Sequence, residues 1–336
     1  MNSVRNTYSA GWRLGLWLLA LACIAVLPFV FPIVVVTEIF IFAILAVAFN
    51  LILGYTGLLS FGQAAFFGLG AYVAGNLLIH YPLHLLLVMV AGTLVGGLAA
   101  LIVGYMSVRS AALYFVLLTL AFGQMVYFTA FAWTPFTGGD DGLRGIPRPD
   151  FPLFGSLSIP LQDPMIFYWF VVVVFLFSYW IFKRIISSPW GLIFMAIREN
   201  EDRVAAVGHA VARYKLLSFT ISGAMSGLAG VLYAIHWQIV PITTVELGQS
   251  ANIVFMTLLG GIGHPVGPVI GAAVFTLLSD MAATYWARWP ILFGAVVILV
   301  VLFLRGGLVE AWQKMVNLLG RQQQKGVDSE NYATGD

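Results

Sequence analysis

Apolar runs of about 20 residues, the length of a membrane-spanning helix, alternate along this chain with short polar or glycine-rich breaks. The first covers about Arg13 to Phe31, with Pro28 and Pro32 at its end, and the second covers Ile33 to Leu53 after a tight turn. A third covers about Ser60 to Ile79, a fourth about Leu83 to Met106, and a fifth Ala111 to Trp133. A sixth runs from Met165 to Phe182 and a seventh from about Leu216 to Trp237. The stretch from Ser250 to Leu278 is long for one span and short for two. Its glycines at 260, 261, 263, 267 and 271 divide it into spans eight and nine with a short cytoplasmic turn. The last runs from about Ala287 to Leu304. This pattern predicts an all-α, polytopic transmembrane helical bundle of about ten spans. Residues 1–310 then form a single transmembrane domain, and 311–336 a cytoplasmic tail whose polar end from Gln322 is expected to be disordered.

Two breaks in the pattern stand out. Glycines recur at 54, 57, 62, 68, 70 and 75, too densely for a robust isolated helix. Non-helical backbone at membrane depth survives where protein buries it or where it lines a cavity, and small residues let helices approach closely. The third span is therefore expected to be broken at its start or packed tightly at the centre, with close packing and a pathway role as alternatives. The second break is the run from Gly260 to Gly271. Glycine-interrupted segments placed in both halves of a chain point to a transporter built from two related halves, with its path at their interface. Span seven adds a small-residue face of Ser218, Ser222, Gly223, Ser226, Gly227 and Gly230.

Composition agrees. Of 336 residues 61% are hydrophobic and 9% charged, where soluble domains carry roughly 25% charged residues. The mean hydropathy is +0.96. A net charge of +2 implies no nucleic-acid partner, and the positive charge is instead placed by topology. The loop from Lys183 to Lys215 sets six basic residues (Lys183, Arg184, Arg198, Arg203, Arg213, Lys215) against Glu199, Glu201 and Asp202, leaving +3. An excess of Lys and Arg marks the cytoplasmic side. The insert from Thr134 to Pro164 sets Asp140, Asp141, Asp150 and Asp163 against Arg144 and Arg148, leaving −2. One span separates the two, so they face opposite sides. Its Gly, Asp and Pro content predicts turns rather than a domain. Arg5 and Arg13 place the N-terminus inside; Arg305, Lys314, Arg321 and Lys325 do the same for the C-terminal tail. Within the basic loop, Asn200-Glu201-Asp202 precede Val204-Ala205-Ala206-Val207, a cap and acids before a short helix that Gly208 can end. Such an exposed helix reads either as a docking element or as a helical turn in a solvated loop.

Candidate chemistry is sparse. The single cysteine, Cys23, excludes an internal disulfide and a cysteine metal cage. Leu21-Ala22-Cys23 is similar to a lipoprotein cleavage box, but Ala20 precedes it and nine further apolar segments follow, which favours an uncleaved first span. Walker A, HExxH and GxSxG patterns are absent. Asp140-Asp141 lack the spacing of a calcium loop. No catalytic constellation supports an enzyme. Glu38, Glu246 and Asp280 lie near span ends or in an outer loop, whereas proton-coupled carriers place ionisable groups along the membrane path. Asn50, Ser60, Gln63, Gln124 and Asn252 are the uncharged polar candidates for a path lining, with Asn76 beside them. Interhelical hydrogen bonding is the competing role for each.

These motifs together resemble a known family. Asn50 to Gly62 (NLILGYTGLLSFG), Ala65-Phe66-Phe67-Gly68 and Gly70-Ala71-Tyr72 are similar to the LivM-type branched-chain amino acid permeases, membrane subunits of ABC importers. Thr137 to Leu143 (TGGDDGL) and Gly145-Ile146-Pro147 look like that family's external loop. Ala196 to Glu201 (AIRENE), Ala205-Ala206-Val207-Gly208 and Lys215 resemble its cytoplasmic coupling loop. Gly260-Gly261-Ile262-Gly263, Gly267-Pro268 and Arg305-Gly306-Gly307-Leu308 complete a likeness that covers about residues 33 to 310.

The resemblance implies that Glu199, Asn200, Glu201, Ala205, Ala206 and Gly208 belong to a coupling loop seated in a groove of a separate ATPase. It implies no cofactor on this chain, with ATP-Mg held by two partner ATPases, and a second, LivH-like permease beside it. A soluble binding protein would dock outside, with Asp140 and Asp141 as candidate contacts, and the setting would be the bacterial inner membrane. One departure concerns the loop: the general pattern has Glu directly before the Ala pair, whereas Val204 stands here and Glu201 is the nearest acid. The downstream Ile-x-Leu-Pro is also absent. The solute would be a branched-chain amino acid, with urea or short amides as the alternative. The rival from another class is a stand-alone channel or secondary carrier.

Overall fold

The computed structural model describes residues 24–81, 83–154, 157–285 and 307–310, with positions 22, 291, 294 and 295. Most of the expected first span, Cys23, nearly all of the expected tenth span, Arg305 and the tail from 311 to 336 lie outside these residues.

Helix α1, Ile33–Asn50, continues as a π-helical turn, Leu51–Tyr55. Helix α2 is Gln63–His80, α3 Leu85–Ser107 and α4 Ala112–Ala132. The insert holds a short α5, Thr134–Thr137, and strands β1, Leu143–Arg144, β2, Phe151–Phe154, and β3, Leu157–Ile159. Helix α6, Pro164–Ile186, leads into α7, Pro189–Glu199, and α8, Glu201–Ala206. Helix α9, Val211–Trp237, is followed by β4, Ile239–Val240, α10, Leu247–Gly260, and α11, Gly267–Tyr285.

Three expectations change. Among the described residues, five helices are long and apolar enough to cross a membrane: Ile33–Tyr55, α3, α4, α6 and α9. Helix α10 has 14 residues, about 21 Å at 1.5 Å per residue, against about 30 Å of hydrocarbon. The expected eighth span is thus a helix of about two thirds the spanning length. The insert, expected to hold turns, also carries short strands in an otherwise helical chain. In the insert β2 pairs with β3, and β1 pairs with β4 across the outer end of α9. Finally, α9 begins at Val211 rather than Leu216, so Arg213 and Lys215 belong to a helix and not to the loop.

Helix α1 is apolar on all sides, and a helix of that kind is buried. Val36, Ile41, Ile44 and Phe49 sit in the core, on a helix packed among α6, α9, α10 and α11. The small-residue face of α9 is buried against α2 and α3. The approach is so close that a Cβ on Gly70 would lie 2.2 Å from the Gly227 carbonyl oxygen.

Two irregular segments enter this bundle from opposite ends. Thr56 to Gly62 leads without helix from the π turn to α2. Gln238 to Glu246 folds back from the end of α9 and brings Val245 against the middle of α2, where a Cβ on Gly68 would overlap it at 2.0 Å. The starts of α2 and α10 therefore meet inside the protein. Ser250 Oγ donates to the Phe61 carbonyl at 2.7 Å and accepts from Ala64 N–H at 3.1 Å. From there α2 runs to the insert, where Asn76 Nδ2 donates to Phe136 O at 2.7 Å. Helix α10 runs the other way, to the basic loop.

Candidate functional site: a joint beneath the basic loop

The loop between α6 and α9 holds two helices where one was expected. Pro189 sits in the first turn of α7, where its missing N–H costs nothing. Phe194 and Ile197 turn inward, packing beside Phe182, Leu217 and Tyr214, while Trp190, Leu192 and Met195 stay exposed. Asn200 caps α8 by accepting from Arg203 N–H at 2.9 Å, and Glu201 and Asp202 occupy its first turn, where the helix dipole favours acids. Gly208 turns the chain out of α8 at φ +90°, a conformation that favours glycine. The helix was therefore legible from Asn200 to Gly208; α7 was not, because its apolar face blends into the end of the sixth span.

The candidate coupling residues fall on one surface. Glu199 and Asn200, with Leu192, Ala196, Arg203 and Val207, line a groove of about 480 Å³ between α7 and α8. Ala205, Ala206 and Gly208 are exposed beside it. Val204, which stands directly before the Ala pair, points inward and is buried. Glu201 pairs with the buried Lys215 of α9. This ties the module to the bundle by an acid about one turn before Val204.

Beneath α7 lies a joint that the sequence analysis missed. Arg198 donates to the Gly54 carbonyl at the end of the π turn. Asn50 joins the same turn to the loop before α11: its Nδ2 donates to His264 O at 3.1 Å and its Oδ1 accepts from Gly263 N–H at 2.9 Å. The two glycine-rich breaks thus meet at the end of the bundle that bears the basic loop. His264 Nδ1 accepts from Val266 N–H at 3.3 Å, and burial lowers its pKa below the ordinary histidine value. Arg198 lies within a quoted motif, but its partner is 144 residues away in sequence, a distance across which local spacing carries no signal.

The path candidates separate into two groups. Asn50, Ser60 and Gln63 are fully buried. Ser60 Oγ accepts from Gly62 N–H at 3.2 Å, and Gln63 Nε2 donates to Ser222 and Ser226 at 2.5 and 3.0 Å. They hold irregular backbone and neighbouring helices together. Gln124 on α4 and Asn252 on α10 are half-buried, and Asn252 Nδ2 reaches Gln249 Oε1 at 3.4 Å. The structure does not gather all five around one cavity.

At the other end, Asp140 and Asp141 are exposed on a 3₁₀ turn, Gly139–Asp141, with Asp141 3.5 Å from Arg144. The insert is fastened to the bundle. Arg148 donates to the Ile235 and His236 carbonyls at 3.3 and 2.8 Å, and its guanidinium lies 4.3 Å from the Phe167 ring centre. Burial lowers the Arg148 pKa from its ordinary value.

The structure is thus a multi-pass helical bundle whose basic loop carries a pair of short helices. The chain belongs to the family described as "Branched-chain amino acid transport system / permease component", which it matches over residues 31–304. It is thus the permease component of an ABC transporter, a class that works with ATPase and binding-protein partners, and it is not itself catalytic. It is 26% identical to the high-affinity branched-chain amino acid transport system permease protein LivM of Salmonella typhimurium, over 91% of this chain and 77% of that one. The LivM protein of Escherichia coli is likewise 26% identical, over 83% and 70% of the two chains. The ribose import permease protein RbsC of Haemophilus influenzae is 28% identical, over 63% and 64%. No solved structure matches.

Proposed function

We propose that this chain is one of two permease subunits in an importer of branched-chain amino acids, or of related small solutes, in the bacterial cytoplasmic membrane. A LivH-like permease is the second subunit. Two ATPases seat against α7 and α8, and a soluble binding protein docks on the insert and supplies most of the selectivity. ATP-Mg belongs to the ATPases. The observation that carries this reading is the α7–α8 module. It is a pair of short helices, tied to the spans through Arg198 and Lys215, with an exposed face of small and apolar residues at the basic end of the bundle. The two LivM relatives favour leucine, isoleucine and valine as solutes, while the ribose permease relative favours a different small polar solute through the same machinery. Gln124 and Asn252, the half-buried polar residues of α4 and α10, are the candidates to face the path.

The test is solute-stimulated ATP hydrolysis in proteoliposomes holding this chain, its co-purifying subunits and the binding protein. Stimulation by leucine, isoleucine or valine is the expected result. Stimulation by urea or ribose alone keeps the importer and changes its solute. Solute flux with no co-purifying ATPase supports a stand-alone carrier instead.

A further inference from the structure

One side chain of the docking module touches both helical breaks. We propose that Arg198 transmits movement of α7 to the spans, a positioning residue acting at once on the end of α1 and on the turn before α11. The proposal rests on the reading of α7 and α8 as an ATPase-docking element.

The π turn ends in carbonyls with no partner further along the helix. Leu51 O accepts from Thr56 Oγ1 at 3.1 Å, Ile52 O from Leu58 N–H at 2.8 Å, and Gly54 O from the Arg198 guanidinium. A cation there meets the negative end of the helix dipole, and a hydrogen bond with one charged partner is stronger than a neutral one. The same guanidinium occupies the space beside Gly263, where an added Cβ would lie 2.7 Å from Nη1. The arginine stem fills the space beside Gly57, whose Cβ would lie 3.2 Å from Cγ. Both glycines have positive φ, +77° and +79°, so the backbone conformation and the missing side chain are required together. Asn50 binds the two breaks to each other from the far side. A displacement of α7 therefore cannot leave the π turn in place without separating Arg198 from Gly54, and Asn50 ties the turn before α11 to that same turn. The module's other tie, Glu201 to Lys215, leads to α9, which itself packs on α1 and is joined to it by Ser222 Oγ donating to Ala48 O at 2.6 Å.

The experiment measures solute imported per ATP hydrolysed by the complete importer in proteoliposomes, using the solute that stimulates the wild type. Arg198→Ala is expected to keep its ATPases bound and hydrolysing while solute per ATP falls roughly tenfold or more, the scale of one charge-assisted hydrogen bond. Arg198→Lys keeps a cation without the planar fork and is expected to recover part of the ratio. If Arg198→Ala does not assemble, Arg198→Gln replaces it. A lower ratio in Arg198→Gln than in Arg198→Lys supports the joint, and equal ratios overturn it. Unchanged solute per ATP in Arg198→Ala overturns the proposal and leaves the importer reading standing. So does a parallel loss of hydrolysis and uptake at constant ratio. A wild-type complex with no solute-stimulated hydrolysis overturns the importer reading, and this proposal with it.

Discussion

Lys215 is buried near the start of α9 with its ammonium on Glu201, whose carboxylate is about half exposed. A buried lysine without a partner is strongly disfavoured. Glu201→Gln is therefore expected to lower stability by about 1–2 kcal/mol, less than a fully buried pair because solvent screens one side. Thermal unfolding of the purified subunit in detergent measures it, and an unchanged melting temperature counts against the pair. The acid was legible in the sequence as the nearest to the Ala pair, but its partner was not. The same holds for Asn50 and Gln63. A polar residue in an apolar run announces that a hydrogen bond must be satisfied, yet a partner more than 150 residues away, as for Gln63 and Ser222, is chosen by the packing of helices.

At the scale of elements, helices with clear hydrophobic limits were readable to within a few residues. Helix α3 was expected at Leu83 to Met106 and found at Leu85–Ser107; α4 was expected at Ala111 to Trp133 and found at Ala112–Ala132. Helix α10 was expected to begin at Ser250 and begins at Leu247; what hydropathy did not show is that Gln238 to Glu246, with β4 and a 3₁₀ turn, folds back into the bundle ahead of it. Such a segment is tolerated when its polar backbone is buried in protein. The docking pair has its own consequence. Ala206 is exposed at the end of α8, so Ala206→Arg is expected to insert normally while solute-stimulated hydrolysis falls about tenfold, the order of a poorly fitting residue in a packed interface. Normal uptake by that variant would remove the docking role.

Over the whole molecule, charge and fastening divide the two ends. The basic loop carries +3 and the insert −2. Asp140 and Asp141 stand on a turn that Thr137 ties to the end of α4, its Oγ1 donating to the Ala130 and Trp133 carbonyls. An insert held this firmly suits a docking surface for a soluble partner. Replacing both residues, Asp140→Lys and Asp141→Lys, is expected to raise the binding-protein concentration for half-maximal uptake several-fold, roughly threefold to tenfold, since rim charges act mainly on encounter. An identical concentration dependence would exclude these residues as contacts.

The chain's hydropathy by itself determined that it is a multi-pass membrane protein. The signs of its loops predict its orientation, and the glycine runs and the Asn200 cap located its breaks and one short helix of the basic loop. Those properties are local, set by residues within one turn or one span. Hydropathy was silent on which helix lies at the centre. Ile33–Tyr55 and α3 have the same hydropathy, 2.5, yet 83% of one window is buried and 39% of the other. An apolar side chain is as well satisfied by lipid as by protein, so only small-residue contacts and distant hydrogen bonds decide what packs where. For the same reason only the tertiary structure could bring Gly54, Gly57 and Gly263 together around Arg198.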